Sequence, residues 1–196
     1  KQLSEFALQN GIGGFEFMFC IPGSVGGGIK MNSGCFGREF KDTLISLQCI
    51  DTSGILKIIP SNKIKFNYRN IEVDENLIFL SATFKGNLLD KSKINLLMHE
   101  LAERKNNSQP SRIKTSGSTF KNPIEQTPIK VWRLIQESVP KDINFGDACI
   151  SDKHSNFFVN KNKASFEDMN ALINYVQKSV KKKTGININL EIKIVE

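Results

Sequence analysis

Three polar side chains in this chain could bind a carboxylate or take part in proton transfer. They are Arg69 after a run of predicted strands, Ser118 in a segment rich in Ser, Thr and Gly, and Glu191 in an apolar segment near the C-terminus. A guanidinium can hold a carboxylate with two parallel hydrogen bonds, and a well-positioned hydroxyl can deliver a proton. Taken singly, each also has a structural interpretation: a surface cation, a serine in a tight turn, or an exposed edge carboxylate.

Ser118 does not carry the sequence pattern of a hydrolase nucleophile. The Gly-x-Ser-x-Gly elbow of serine hydrolases requires glycine two positions before and two positions after the serine. Ser116 and Phe120 occupy those positions here. A hydrolase is therefore disfavoured, and the hydroxyl remains either a proton donor or a turn residue.

The glycine-rich residues 14–34 do not match the commonest phosphate-binding loops. A Walker A loop requires Lys directly after its second glycine, followed by Ser or Thr, but Ile-Lys-Met follows Gly28. A Rossmann fingerprint that starts at Gly11 would require Gly or Ala where Glu16 stands. The glycines still predict a loop whose main chain a flat or phosphorylated ligand can approach closely.

Composition indicates a globular protein. With 196 residues, 39% hydrophobic and 24% charged, the chain can bury a core and divide into one or two domains. Its apolar runs are shorter than the roughly 18 residues that cross a bilayer, so no membrane span is predicted. The net charge of +7 comes largely from scattered lysines, which disfavours nucleic-acid binding and is compatible with phosphate-bearing substrates.

The cysteines predict neither a metal site nor a disulfide framework. They lie far apart and form no Cys-x-x-Cys pair: Cys20, Cys35, Cys49 and Cys149. We interpret them as buried, reduced thiols in a reducing compartment, with metal ligation as the disfavoured alternative.

The first half of the chain predicts a sheet followed by a helix. Residues 44–50, 55–59 and 77–84 are rich in β-branched or aromatic residues and are separated by turn signals. Apolar residues then recur at helical spacing over residues 91–107, until Gln109-Pro110 ends the pattern. Residues 3–7 resemble the end of a helix that begins earlier.

The second half predicts two helices and two strands. Residues 131–138 are predicted as a short helix and residues 156–159 as a strand. A long amphipathic helix over residues 165–183 begins with a capping box at Ser165 and ends before Gly185. Alternating apolar residues then predict a final strand over residues 186–195.

Several segments together resemble the flavin-dependent UDP-N-acetylenolpyruvoylglucosamine reductases of peptidoglycan synthesis. Family members carry Gly-x-Glu-Phe, Gly-Ile-Pro-Gly-x-Val-Gly-Gly-Ala and Met-Asn-Ala-Gly in the FAD-binding domain, a Tyr-Arg motif, Gly-Ser-x-Phe-Lys-Asn-Pro, and a terminal Gly-Val-x-Leu-x-x-Glu-Val-Arg. The resemblance extends from about residue 10 to residue 195. The chain departs from these patterns at Cys20, Gly28, Ser33 and Lys193, and residues 139–142 differ from the Gly-Leu-Lys-Gly loop of the family.

The resemblance implies FAD as cofactor and NADPH as reductant. The implied cofactor-binding residues are Glu16, Ile21, Pro22, Gly23, Ser24, Val25, Gly26, Gly27, Met31, Asn32 and Gly34. Their main-chain amides are expected to face the flavin.

The resemblance also implies a reaction, in which UDP-N-acetylglucosamine enolpyruvate receives a hydride at its terminal carbon and becomes UDP-N-acetylmuramate. Arg69 and Glu191 are then expected to stabilise the developing enol, and Ser118 to protonate it. Further substrate contacts are implied at Arg104, Lys121, Asn122 and His154, although a hydrogen-bonded structural role is an equal alternative for the histidine. The implied setting is cytoplasmic cell-wall biogenesis, which supports cell shape and division.

The implied architecture is α+β. Residues 1–107 are expected to form the C-terminal part of a two-part FAD-binding domain, and residues 108–196 a domain that binds the UDP-sugar. Since the matched pattern begins in the middle of the family's pattern, we expect the segment with the family's other FAD-phosphate loop to be missing. A non-catalytic remnant that binds UDP-sugar without flavin, and another oxidoreductase of the same flavin fold, remain alternatives.

Overall fold

A computed structural model describes residues 1–195, and its chain divides into two compact units, Lys1–Lys105 and Asn106–Glu196. This division falls two residues before the predicted boundary. The ligand assigned to each predicted domain stays a prediction.

The first unit begins with short elements around the glycine-rich segment. They are α1 (Gln2–Gln9), β1 (Ile12–Gly13), a 3₁₀ helix (Glu16–Cys20), α2 (Val25–Lys30), β2 (Gly34–Cys35) and β3 (Arg38–Glu39). The strands β2 and β3 form a hairpin, and β1 pairs with a later short strand. Residues 3–7 lie within α1, so their predicted helical conformation is confirmed.

The rest of the first unit contains a three-stranded antiparallel sheet and a long helix. Its elements are β4 (Leu44–Ile50), β5 (Leu56–Pro60), β6 (Lys65–Asn67), β7 (Asn70–Glu72), β8 (Ile78–Phe84), β9 (Asn87–Leu88) and α3 (Lys91–Ser108). The strand order is β5-β4-β8, while β6 pairs with β7 and β9 with β1. All three predicted strands and the predicted helix are confirmed, with ends shifted by no more than a residue or so.

Aromatic rings fill much of the core of the first unit. Phe40 is buried and makes edge-to-face contacts with Phe17 and Phe84, at centroid distances of 6.1 Å in both cases. Such edge-to-face pairs stabilise a core beyond the area that they bury. The 3₁₀ helix and the sheet are therefore packed together through Phe40.

The second unit is a four-stranded antiparallel sheet with two helices. Its elements are β10 (Thr115–Ser118), α4 (Val131–Ser138), β11 (Asn144–Phe145), β12 (Ala148–Ile150), β13 (Phe157–Asn160) and α5 (Phe166–Thr184). The strand order is β10-β13-β12-β11. Both predicted helices and the predicted strand at residues 156–159 are confirmed within about one residue.

The ends of α5 follow the predicted capping pattern. The Ser165 hydroxyl accepts from the Asp168 N–H (3.1 Å), and the Asp168 carboxylate accepts from the Ser165 N–H (2.9 Å). The helix ends at Gly185, whose φ of +76° is a left-handed conformation that favours glycine. Leu172, Val176 and Val180 then place one apolar stripe in the core.

The predicted final strand is wrong for most of its length. Residues 186–195 form no ladder, and their sheet pairing is a single antiparallel bridge between Phe120 and Leu190. Some main-chain groups of this segment are bonded by side chains instead of by a strand. The Gln126 side-chain amide forms hydrogen bonds with the N–H and the carbonyl of Asn187, and the Gln177 side-chain amide donates to the Ile188 carbonyl. Alternating apolar residues predict an extended chain, but a ladder also needs a partner strand.

The predicted α+β class is confirmed by this arrangement of helices and antiparallel sheets. Within residues 1–195, no helix combines the length and the apolar character needed for a bilayer span.

Candidate functional site

Ser118 and Glu191 occupy neighbouring main-chain positions in the second unit. Ser118 ends β10 and pairs with Phe157 on β13. The Glu191 N–H donates to the carbonyl of Thr119, the residue directly after Ser118, at 2.8 Å. Both side chains are half-buried, and Gly117 before the serine adopts φ +86°. The structure thus brings the main chain of the two predicted residues together in this unit, and a joint role for their side chains stays a prediction.

Asn156 fixes the segment that follows Ser118. Its side chain is buried and bonds both main-chain groups of Phe120, accepting from the N–H (2.9 Å) and donating to the carbonyl (2.8 Å). Its own carbonyl accepts from the Thr119 N–H at 2.8 Å. Sequence reasoning did not assign this positioning role, although the asparagine lies within the matched residues 151–160.

Lys121 and Asn122 belong to the same segment and are half-buried. The Lys121 N–H donates to the Asn189 carbonyl at 2.8 Å, which adds a second link to the C-terminal segment. The Asn122 side-chain oxygen accepts from the Val131 N–H at 3.0 Å, at the first residue of α4. Asn122 therefore satisfies a helix N–H that has no partner within the helix. Substrate contacts by these two residues stay predictions.

The hydroxyl of Thr119 lies buried directly beside Ser118. Within residues 1–195 it has no hydrogen-bond partner. A buried hydroxyl without a partner costs about 1–3 kcal/mol, and such groups are rare in native structures. The buried hydroxyls of Ser4 and Ser138 are unpartnered in the same way, so this feature alone does not mark the Ser118 segment as functional.

His154 is held in one tautomer. Its Nδ1 accepts from the Asn156 N–H at 3.2 Å, so in the neutral ring the proton sits on Nε2. The ring packs against Phe157 and Trp132, with centroid distances of 4.8 and 6.3 Å. Burial lowers the pKa of His154 below its ordinary value. Near neutral pH the ring is therefore an uncharged donor through Nε2.

Arg69 occupies a strained position in the first unit. It is the second residue of the two-residue turn between β6 and β7, and its φ of +56° is left-handed. Such a conformation costs about 1–3 kcal/mol for a residue other than glycine and is common at functional sites. Its Nη2 donates to the Gly34 carbonyl at 3.3 Å. Arg69 is thus directed to the end of the glycine-rich segment.

Arg104 lies near the end of α3. Its guanidinium stacks over the Phe36 ring at 4.7 Å, and the next residue, Lys105, donates from Nζ to the Cys20 carbonyl at 2.7 Å. Both contacts tie α3 to the segment around β2. A substrate contact by Arg104 stays a prediction.

The glycines of residues 23–28 serve two different purposes. Gly23 has φ +109°, and at Gly23 and Gly26 an added Cβ would meet nothing within 4 Å. At Gly28 the same atom would lie 2.4 Å from the Phe40 ring. Gly23 and Gly26 thus have open space beside the main chain, whereas at Gly28 core packing leaves no room for a Cβ.

The other predicted cofactor residues around this loop are partly engaged in structure. Both carboxylate oxygens of Glu16 accept from the Gly14 N–H at 3.0 Å. Ser24 caps α2 by accepting from the Gly27 N–H at 3.1 Å. Ile21 and Met31 are half-buried, and Pro22 and Val25 are exposed.

Asn32 and Gly34 complete the predicted cofactor set. Asn32 is fully buried, with its Nδ2 donating to Glu39 Oε2 (2.9 Å) and its Oδ1 accepting from the Lys41 N–H (3.1 Å). At Gly34 an added Cβ would lie 2.3 Å from the Arg38 carbonyl. Both residues build the β2–β3 hairpin, and direct flavin contacts by them stay predictions.

The thiols near this loop are not activated. Burial raises the pKa of Cys20, and burial together with the neighbouring Cys20 raises the pKa of Cys35 to about 11, against the opposing effect of Lys105 and Arg69. The main chain of Cys20 does not adopt a positive φ, so its Cβ brings no left-handed backbone strain. Three of the four cysteines are buried and Cys35 is half-buried. In the described part of the chain, no three His, Cys, Asp or Glu side chains gather as metal ligands would.

Comparison with known proteins gives a consistent result for the sequence and the fold. Residues 109–195 match the family described as UDP-N-acetylenolpyruvoylglucosamine reductase, C-terminal domain. The whole chain is 61% identical to the UDP-N-acetylenolpyruvoylglucosamine reductase of Pelagibacter ubique (strain HTCC1062) and covers 65% of that protein. It is 38% identical, over 97% of its length, to the enzyme of that name from Rickettsia canadensis (strain McKiel), of which it covers 64%.

A solved structure agrees with these relatives. The crystal structure of UDP-N-acetylenolpyruvylglucosamine reductase (MurB) from Thermus caldophilus matches 98% of this chain with a TM-score of 0.85 and 31% identity. The chain covers 68% of that protein and about two thirds of the curated relatives' length. On these matches, the chain belongs to the UDP-N-acetylenolpyruvoylglucosamine reductase family.

Proposed function

We propose that this chain takes part in the NADPH-dependent, FAD-mediated reduction of UDP-N-acetylglucosamine enolpyruvate to UDP-N-acetylmuramate in peptidoglycan synthesis. The observation that carries the proposal is the 61% identity to a reductase of that name over all 196 residues. The retained Arg69, Ser118 and Glu191 support it, because each supplies a group that this reaction needs.

The glycine-rich segment fits a flavin cofactor on one structural criterion. The main chain at Gly23 and Gly26 is open, so a planar ring or a phosphate could approach its N–H groups without meeting a side chain. Residues 21–27 and the Met31–Gly34 turn would hold the cofactor. When bound, FAD would supply hydride transfer between NADPH and the enolpyruvyl group.

The chain's own residues would manage charge and protons. The Arg69 guanidinium would bind the carboxylate of the enolpyruvyl ether through two hydrogen bonds, which strengthen as negative charge develops. Glu191 would polarise the enol. The Ser118 Oγ–H would deliver the proton at the carbon beside that carboxylate. Because the enolate or carbanion left by hydride addition is a strong base, this transfer needs a positioned donor more than an acidic one.

The links around Ser118 support this role. A proton donor must be held near its target, and the Thr119–Glu191 and Phe120–Asn156 hydrogen bonds restrain the main chain directly after the serine. Misplacement by about 1 Å can cost on the order of 100-fold in rate. A cytoplasmic location, where NADPH and reduced thiols are found, is part of the proposal.

The test is an assay of substrate-dependent NADPH oxidation. We would use this chain, and a chimera in which it replaces the matching 65% of the Pelagibacter ubique relative. UDP-N-acetylmuramate would be identified by mass spectrometry, and bound FAD by its visible absorption after desalting. We expect turnover in the chimera. A chimera that binds FAD without turning over the substrate would contradict the proposal, and UDP-sugar binding without flavin would favour the remnant.

A serine variant tests the assignment of the proton donor. In the chimera, Ser118→Ala should lower turnover by about 10²- to 10⁴-fold while FAD stays bound, as loss of a general acid does. Ser116→Ala is the matched control, because it removes an exposed hydroxyl from the same strand. Equal loss in both variants would indicate damage to β10 rather than to proton transfer.

A further inference from the structure

Asn32 connects the glycine-rich segment to the turn that carries Arg69. The Asn32 side chain is fully buried, and its Nδ2 donates to the main-chain carbonyl of Asn67 at 3.3 Å. Asn67 ends β6, directly before the two-residue turn that contains Arg69. The Arg69 guanidinium in turn donates to the Gly34 carbonyl at 3.3 Å. One hydrogen bond from each side chain therefore joins residues 31–34 to the β6–β7 turn.

The Asn32 amide is fixed by further partners within the first unit. Its Nδ2 also donates to Glu39 Oε2 at 2.9 Å, and its Oδ1 accepts from the Lys41 N–H at 3.1 Å. Glu39 Oε2 is itself held by the Lys41 Nζ at 2.8 Å. A side-chain amide has two N–H donors, and both are used here. A flavin contact by this Nδ2 would therefore break a hydrogen bond that the fold already makes.

Both connected residues have left-handed main chains. The φ of Asn32 is +37° and that of Arg69 is +56°. Asparagine tolerates this conformation better than most residues, whereas arginine does so at a cost. Strained residues persist only where their surroundings restrain them from several directions. The bond to the Asn67 carbonyl restrains the peptide group before the turn, so it helps to hold Arg69 in its conformation.

We propose that Asn32 is a positioning residue for Arg69 and acts in the reaction through that arginine rather than by contact with the cofactor. The proposal rests on the proposed function, in which Arg69 binds the carboxylate of the enolpyruvyl ether. Two parallel hydrogen bonds to a carboxylate require a well-placed guanidinium, so a shift of the turn would weaken them. Transfer of the hydride to the substrate depends on this contact, whereas reduction of FAD by NADPH does not.

Limited digestion with trypsin tests the contact without any ligand. Trypsin cleaves after arginine, so cleavage after Arg69 reports how often the β6–β7 turn opens. In the purified chain, Asn32→Gly should speed this cleavage by about tenfold, as loss of a buried hydrogen bond would. Glycine is the chosen replacement because it tolerates the left-handed φ and adds no strain. Cleavage after Lys57 on β5 measures opening of the unit as a whole and should change by less than about twofold.

Two further variants support the digestion experiment. Asn76→Ala is the matched control, because it removes an exposed amide from the next turn of the same unit and should leave cleavage after Arg69 unchanged. Glu39→Ala serves if Asn32→Gly does not fold, because it removes an acceptor of the Asn32 amide from a partly exposed position. It should speed cleavage after Arg69 in the same direction by a smaller factor.

The two half-reactions of the FAD-loaded chimera test the role in the reaction. In Asn32→Gly, reoxidation of the reduced flavin by the enolpyruvyl substrate should slow by about 10- to 100-fold, as misplacement of a binding group predicts. Reduction by NADPH and retention of FAD after desalting should stay unchanged. Visible absorption follows both steps, and Asn76→Ala should match the wild type in each. Adding Asn32→Gly to an Arg69→Ala chimera should cause no further loss, because the arginine is already absent.

Four outcomes would overturn the proposal. Unchanged cleavage after Arg69 in Asn32→Gly and Glu39→Ala would show that the contact does not hold the turn. Equal acceleration after Arg69 and Lys57 would assign Asn32 to the stability of the whole unit. Loss of FAD, or equal slowing of both half-reactions, would indicate a cofactor contact. An equal loss with and without Arg69 would show that Asn32 acts independently of the arginine. A wild-type chimera without turnover would instead count against the proposed function, and the digestion would still test the contact.

Discussion

The two compact units cover their sheets differently. In the second unit, α4 and α5 contribute Leu134, Ile135, Leu172, Val176 and Val180 to one core with the sheet residues Ala148 and Phe158. In the first unit, one face of the β5-β4-β8 sheet packs into the core through Leu47 and Cys49, which are both 0% exposed. The opposite face of this sheet lies open to solvent.

That open face carries exposed apolar side chains beside polar ones such as Gln48 and Ser81. Leu56 and Ile78 lie on either side of Ile50 across the sheet and are 59% and 61% exposed. Ile58, opposite Gln48 in the next row, is 69% exposed. Sheets with apolar side chains on both faces are usually covered on both sides. Alternating apolar residues thus predict a strand, but whether both faces of its sheet are buried depends on the elements that pack against them.

The largest expected effect comes from separating the units. Residues 106–196 alone should unfold cooperatively and show near-ultraviolet circular dichroism, because their core is closed. Residues 1–105 alone should bind a hydrophobic dye and aggregate, because of the exposed apolar sheet face. Urea unfolding and dye fluorescence of both pieces would measure this. The prediction would be contradicted if residues 1–105 unfolded cooperatively without binding the dye while residues 106–196 were unfolded.

Substitutions on the two faces of the β5-β4-β8 sheet test whether one face is buried and the other is exposed. Leu47→Ala should lower the free energy of unfolding by about 2–5 kcal/mol, because it removes a fully buried side chain. Ile58→Ala should change it by no more than about 0.5 kcal/mol, because that residue is 69% exposed. Urea denaturation of both variants tests the pair. A large loss in Ile58→Ala would mean that the face is covered in solution.

Glycine substitutions within α2 test which glycine is needed for core packing. Gly28→Ala should cost about 1–2 kcal/mol of unfolding free energy, because the Phe40 ring at 2.4 Å from the new Cβ must move. Gly26→Ala should be neutral or slightly stabilising, because the site is open and alanine favours helix. Thermal unfolding measures both.

A second substitution checks the cause at Gly28. The family pattern carries alanine at this position. If the Phe40 ring causes the cost of Gly28→Ala, the same substitution should cost less in a chain that also carries Phe40→Leu, because leucine lacks the ring. An equal cost in both backgrounds would refute the steric explanation.

The smallest predicted effect is a pH dependence of stability that comes from His154. Burial lowers the pKa of His154 in the folded chain, so the unfolded chain binds its proton more readily. The associated stability is complete above the ordinary pKa of about 6.5 and falls as pH drops through that value. His154→Gln should flatten this fall in urea titrations from pH 7.5 to 5. Equal slopes for wild type and His154→Gln would contradict the prediction.

Local signals predicted most of the larger elements. The strand at Leu44–Ile50 and the helix at Val131–Ser138 match their predicted ends, and the Ser165 capping box forms as expected. Alternation, helical spacing and caps act within a few residues of the chain, so the sequence displays them. The two-residue strands, such as β1 and β9, were not predicted, because pairing alone defines them.

The candidate site was predicted unevenly. The motifs named Arg69, Ser118 and Glu191, and the structure adds the left-handed turn of Arg69 and the main-chain link between the other two segments. The hydrogen bonding of the Asn156 side chain to Phe120 joins residues 36 positions apart, so no local sequence pattern predicted it. The unpartnered Thr119 hydroxyl was equally hidden, since burial depends on the packed neighbours.

By itself, the sequence determined the α+β class, the main helices and strands, and the residue types from which a reductase site could be made. Those properties follow from short-range periodicity and from motifs read along the chain. Only the tertiary structure decided that residues 186–195 form a bridge rather than a strand, that Gly28 makes room for Phe40, and that Trp132 lies beside His154. Each depends on partners distant in sequence, and such contacts are set by packing of the whole unit.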